Sequence, residues 1–185
     1  MQERAKRTRE ALIRATAELI GDGGPNAAGL VNVCRTAGVS RGALYHHFDT
    51  MEALVAAVRL KARKELDVLI EDAFETPAYA GAARFSTSLG RALGEDVTLR
   101  AGLQLGPSGS DGSPRLFDEV LGLVRGRVSE CEADDLADLV MVVTAGLESL
   151  GRRDAAWWDP GTAERVWSLL EPLLSSPLPG PSAAG

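Results

Sequence analysis

The stretch that decides the fold is Val33–Leu54, VCRTAGVSRGALYHHFDTMEAL. Two short helical patterns meet across Ala37-Gly38-Val39-Ser40. Gly38 tolerates the left-handed backbone that a sharp helix exit needs. Val39 supplies an apolar hinge, and Ser40 is a good N-cap for a helix over Arg41–His46. The spacing predicts a helix-turn-helix. Its second helix opens with Arg41, Gly42 and Ala43: one long cation, then no side chain, then a methyl. Small residues at a helix tip permit close approach to the floor of a DNA major groove, and an adjoining arginine reaches guanine or phosphate. Tyr45 and His47 offer a hydroxyl and an imidazole to phosphate oxygens. Leu44 and Phe48 are predicted to turn back into the core.

Outward from this stretch, helical periodicity continues in both directions. Leu12, Ile13, Ala17, Leu19 and Ile20 share one face of a helix that Gly21–Pro25 stops. Thr50 caps a helix predicted to run to Phe74, before Pro77. Further helices are expected over Ala82–Leu93, Val97–Leu105, Leu116–Val128, Asp134–Leu150 and from Asp159-Pro160 to Leu173. Gly106–Pro114 reads as a turn-rich loop. With no strand pattern and no repeat, the expected fold class is all-α with about nine helices. Residues 1–49 form a DNA-binding domain, 50–176 a larger ligand-binding and dimerisation domain, and 177–185 a disordered tail.

Charge separates the same two parts. The chain carries a net −6, yet residues 1–64 hold 11 Lys/Arg against 6 Asp/Glu while the remainder holds 9 against 20. A basic end on an acidic body marks the N-terminal part as the one that meets a polyanion. The longest apolar stretch, Leu136–Leu147, is broken by Asp138 and Thr144 and falls short of a membrane span. Met1–Arg9 leads into no signal-peptide core, so a cytoplasmic protein with no membrane partner is expected. Two cysteines, Cys34 and Cys131, support neither a disulfide framework nor a zinc site. His46 and His47, the only histidines, have no further ligand at metal-site spacing, and no metal or cofactor is expected. Gly21–Gly29 lacks the Lys-Ser/Thr of a phosphate loop. No histidine follows Gly106–Ser110 to serve as a base for a serine nucleophile, and an enzyme is not expected.

The run Ala37–Phe48, AGVSRGALYHHF, resembles the DNA-binding signature of the tetracycline-repressor (TetR) family, and the flanking helices sit where that family puts them. The resemblance implies base reading by Arg41, Gly42, Ala43 and His46, and phosphate contacts by Tyr45 and His47 around the Ser40 cap. Two positions depart from the pattern. Gly29 stands where a threonine usually opens the first helix of the motif, and Met51 stands where a lysine usually contacts phosphate. Both changes remove contacts that position the DNA backbone, which shifts weight onto Arg4, Lys6, Arg7 and Arg9. Val97–Leu105 and Val166–Leu173 resemble the γ-butyrolactone-receptor branch of the family. That branch implies a repressor released from DNA by a small signalling lactone or furan.

Two further sets of residues complete the expectation. The effector is expected to meet Leu99, Arg100, Leu103, Phe117, Leu121 and Val143. The helix Asp134–Leu150, apolar nearly all round, pairs with Thr162–Leu174 in a two-fold four-helix interface through Leu136, Leu139, Val140, Val143, Leu147, Val166, Trp167 and Leu170. The alternative is a small-molecule-binding relative whose DNA binding has weakened or been lost through Gly29 and Met51.

Overall fold

The computed structural model describes residues 2–76, 78–106, 114–130 and 134–174, and every regular element among them is helical. Nine α-helices follow in order: α1 Gln2–Gly23, α2 Leu30–Ala37, α3 Arg41–His47, α4 Met51–Ala73, α5 Ala78–Glu95, α6 Val97–Leu103, α7 Leu116–Ser129, α8 Asp134–Gly151 and α9 Pro160–Leu174. Short 3-10 turns at Pro25–Ala27 and Ala155–Trp158 were not foreseen from periodicity. Cys131, the interior of the loop expected at Gly106–Pro114 and the tail at 177–185 lie outside the described residues.

Packing divides the chain into two units. The first holds the described residues of Met1–Asp72 and Ala92–Leu123, the second those of Ala73–Arg91 and Val124–Gly185. The helix-turn-helix expected to stand as a domain at 1–49 shares one core with α4 and α6. Leu12, Ile13, Ala17 and Ile20 of α1 join Val33, Cys34, Leu44 and Phe48, and the cluster is closed by Leu54, Val55, Val58, Ala101 and Leu105. A three-helix head this small buries too little apolar surface alone, and the added helices complete it. Arg4, Lys6 and Arg7 lie on the exposed first turns of α1, which is helical from Gln2 onward. Arg9 stacks over the Phe48 ring at 5.0 Å, so it binds α1 to the end of α3.

In the second unit two hydrogen bonds join polar side chains to neighbouring helices, while Ser129 Oγ and the Trp167 indole N–H are buried without a hydrogen-bond partner among the described residues. Ser86 of α5 and Thr144 of α8 share a hydrogen bond of 2.8 Å, and the Tyr79 hydroxyl donates to the Trp167 carbonyl oxygen at 2.8 Å. Trp158 lies so tightly on α8 that a Cβ added to Gly151 would stand 2.0 Å from its Nε1. Glycine is required there by space alone. Among the described residues no helix is long and apolar enough to cross a membrane.

Candidate nucleic-acid interface

The sequence builds the α2–α3 corner through its caps. Gly38 takes φ 65° and ψ 32°, and the Gly38 and Val39 N–H groups donate to the carbonyls of Arg35 and Cys34 at 3.2 and 3.0 Å. Those bonds satisfy carbonyls that the end of α2 would otherwise leave open. Two residues later the Ser40 hydroxyl accepts the Ala43 N–H at 3.1 Å and starts α3. Leu44 is fully buried and Phe48 nearly so, as expected, which fixes the rotation of α3 about its axis. The Thr50 hydroxyl accepts the Ala53 N–H at 3.1 Å and caps α4.

That rotation leaves Arg41, Gly42, Tyr45 and His46 exposed, with Ala43 and His47 half-buried. A Cβ added at Gly42 meets nothing nearer than the Ser40 hydroxyl at 3.9 Å, so the tip is open. The basic residues of the first unit differ in their partners, and the Arg4 and Lys6 side chains have none among the described residues. Arg7, Arg14 and Lys61 are held by Glu3, Glu18 and Glu10, and Arg35 is held by Asn32. The Arg41 guanidinium and the Tyr45 hydroxyl, by contrast, have no protein partner among the described residues. The rings of His46 and His47 meet edge-on, with centroids 5.3 Å apart. This surface offers unpaired donors at a helix tip, the arrangement that a polyanion with base edges between its phosphates would engage.

The two departures have distinct geometries. Gly29 caps α2 in extended backbone, φ −84° and ψ 146°, with no side-chain bond, and nothing lies within 4 Å of where a Cβ would stand. Met51 is half-buried against the core cluster, so an apolar contact takes the place of a cationic one.

The residues expected to meet an effector are divided between the two units. Leu99 and Leu103 of α6 are fully buried, and Phe117 and Leu121 of α7 nearly so, all in the first unit. Val143 lies half-buried on α8 of the second. Arg100 donates to the carbonyl oxygens of Leu93 and Gly94 at the end of α5, so it ties two consecutive helices together. An open groove of about 480 Å³ in the second unit, lined by Tyr79, Arg84, Ser88, Arg91, Trp167 and Glu171 among others, includes none of the six. Burial and the charge on Glu171 both push the Tyr79 hydroxyl above its ordinary pKa and keep it neutral.

The residues expected at a subunit interface divide by burial. Val140, Leu147 and Trp167 are already buried within the single chain. Leu136, Leu139, Val143, Val166 and Leu170 are half-buried. The most open apolar positions on these two helices lie outside the expected interface set: Val142 at 70% and Leu169 at 76% exposed.

Residues 12–58 match the family model described as bacterial regulatory proteins, tetR family. The HTH-type transcriptional regulator UidR of Escherichia coli strain K12 is 36% identical over 61 residues, which is 33% of this chain and 31% of UidR. The match thus spans less than a third of that relative's length. Over nearly the whole chain the fold is that of solved regulators. A γ-butyrolactone receptor described as ArpA-like superposes with a TM-score of 0.73 at 22% identity, covering 90% of this chain and 87% of its own. The TetR-family protein CprB from Streptomyces coelicolor, solved in complex with its biological operator sequence, superposes with a TM-score of 0.70 at 22% identity, covering 92% and 88%.

Proposed function

We propose that the chain is a member of the TetR family of bacterial regulatory proteins and, from that premise, a homodimeric, ligand-responsive transcriptional repressor. One observation carries the reading: Arg41 and Tyr45 stand exposed and unpaired at the tip of a helix whose rotation the core fixes. In this reading Arg41, Gly42, Ala43 and His46 face base edges. Tyr45, His47 and the open α2 end at Gly29 face phosphates, and Ser40 holds the tip in shape. Met51 supports the head from inside.

Dimerisation is supported by the apolar surface left open on α8 and α9, with Val142, Leu150 and Leu169 at its most exposed points. Two copies present two α3 helices to successive major grooves about 34 Å or a near multiple apart, so the operator is an inverted repeat. The effector is a small, mainly apolar molecule of lactone or furan type. Two features support that class: the buried apolar residues of α6 and α7, and the fold shared with γ-butyrolactone receptors. A decisive release requires about 5 kcal/mol of differential affinity between the DNA-competent and released states.

A gel shift on DNA flanking the chain's own gene, repeated across salt concentrations, tests the function. Specific retention that weakens steeply with salt supports it, because each phosphate contact releases counterions. The uncapped Gly29 and the half-buried Met51 favour a second reading, a ligand-binding relative without operator affinity. Absence of any retained fragment would select that one.

A further inference from the structure

The part of α4 that follows the head is gripped from two sides within the first unit. On one side α6 lies so close that a Cβ on Gly102 would stand 2.2 Å from the Ala62 Cβ and 3.3 Å from the Val58 carbonyl oxygen. On another, Arg59 of α4 donates from one terminal nitrogen to both carboxylate oxygens of Glu119 on α7, at 2.6 and 2.7 Å. Arg63, one turn further along α4, reaches the same carboxylate at 3.7 Å. The Arg59 and Glu119 side chains are only 17% and 25% exposed. Among the described residues Glu119 is the one carboxylate paired with Arg59.

That burial gives the pair a consequence that a surface salt bridge would lack. An arginine cannot shed its proton. Without its counter-charge, the Arg59 guanidinium must regain water, because an uncompensated buried charge is costly. Wetting Arg59 requires α4 to shift. Leu54, Val55 and Val58 of the same helix sit in the core that seats Leu44, so the shift passes to α3.

We propose that Glu119 is a positioning residue for DNA recognition: its carboxylate pins Arg59 and thereby sets the placement of α4 and of the head that α4 supports. The inference rests on the DNA-reading function given above. Glu119 lies between Phe117 and Leu121 on α7, the residues assigned to the effector, so a ligand that displaces α7 acts directly on the clamp. Loosening it broadens the range of head placements, and apparent operator affinity falls with the fraction that still fits.

The test measures operator and non-operator DNA affinity for the full-length dimer carrying Glu119→Gln, Arg59→Gln or both, at one salt concentration, with melting temperatures alongside. Each single variant is expected to lose operator affinity about five- to fifty-fold. Non-operator affinity should stay within about twofold, and the double variant should bind no more weakly than the worse single, as for residues acting as one unit. Arg63→Gln leaves the Arg59–Glu119 contact intact and should cost about two- to threefold, which keeps the proposal testable if a clamp variant fails to fold. Folded variants with unchanged or tighter operator binding, or with equal losses on both DNAs, would overturn it. A wild-type chain that retains no operator would instead overturn the function beneath it.

Discussion

Arg41 and Tyr45 are separated by one helical turn and have different expected roles. Arg41 at the α3 tip can form paired hydrogen bonds to guanine O6 and N7, so Arg41→Ala should lose about 1–3 kcal/mol of discrimination per half-site. Competition between operator and single-base variants measures this, and an unaltered sequence preference would move Arg41 to the phosphate class. Tyr45, 49% exposed, offers only its hydroxyl. Tyr45→Phe should weaken binding to every duplex about equally, and a loss confined to the operator would contradict a phosphate role. Gly29 supplies the reverse experiment. Its extended backbone and empty surroundings accept a β-branched residue without strain. Gly29→Thr should tighten binding to all DNA a fewfold while leaving the salt slope unchanged, since a hydroxyl adds a hydrogen bond but no charge. A salt titration of both proteins reads affinity and slope together.

Among the elements, α2 and α3 were legible because what defines them is local. Gly38, Ser40, Leu44 and Phe48 lie within eleven residues and announce exit, cap and buried face in order. The Arg59–Glu119 clamp was not legible, since its partners are 60 residues apart and each looks like a solvated charge on its own helix. Gly102 gave no signal either, because a glycine that admits a neighbouring backbone looks the same in sequence as one that merely weakens a helix. Arg100 is a cation within an otherwise apolar helix, and its partners include backbone carbonyls, which side-chain patterns do not record. The α4–α6 contact also carries a pH prediction. Burial first, and then the charge and hydrogen bond of Asp96, hold the Glu65 carboxyl above its ordinary range. The folded state therefore binds this proton more readily than the unfolded state, and stability declines as pH rises through the shifted value. Glu65→Gln should raise the melting temperature at neutral pH, with the gain vanishing once pH falls below the ordinary carboxylate range. A gain that persists undiminished in acid would contradict the assignment.

Across the whole molecule, periodicity identified α8 and α9 as unusually apolar but did not separate their buried stripe from their open one. A helix that is apolar nearly all round buries one stripe in its own subunit and keeps another for a partner, and sequence spacing does not say which is which. The structure separates them. Val140, Leu147 and Trp167 belong to the subunit interior, and Val142 and Leu169 remain open. Leu169→Glu should therefore leave the fold intact, yield monomers by analytical ultracentrifugation and abolish operator binding. A dimeric variant with full affinity would place the interface elsewhere. The uneven charge, basic through residue 64 and acidic beyond it, fits a molecule of which only one end approaches DNA.

Selection of bound duplexes from a random pool by the full-length protein, followed by sequencing, tests the paired-head account most directly. The account predicts enrichment of an inverted repeat whose half-site centres lie about 10 base pairs or a near multiple apart. Arg41→Ala should relax the preference at matching positions in both halves. Recovery of a single unpaired motif, or of no motif at all, would contradict it.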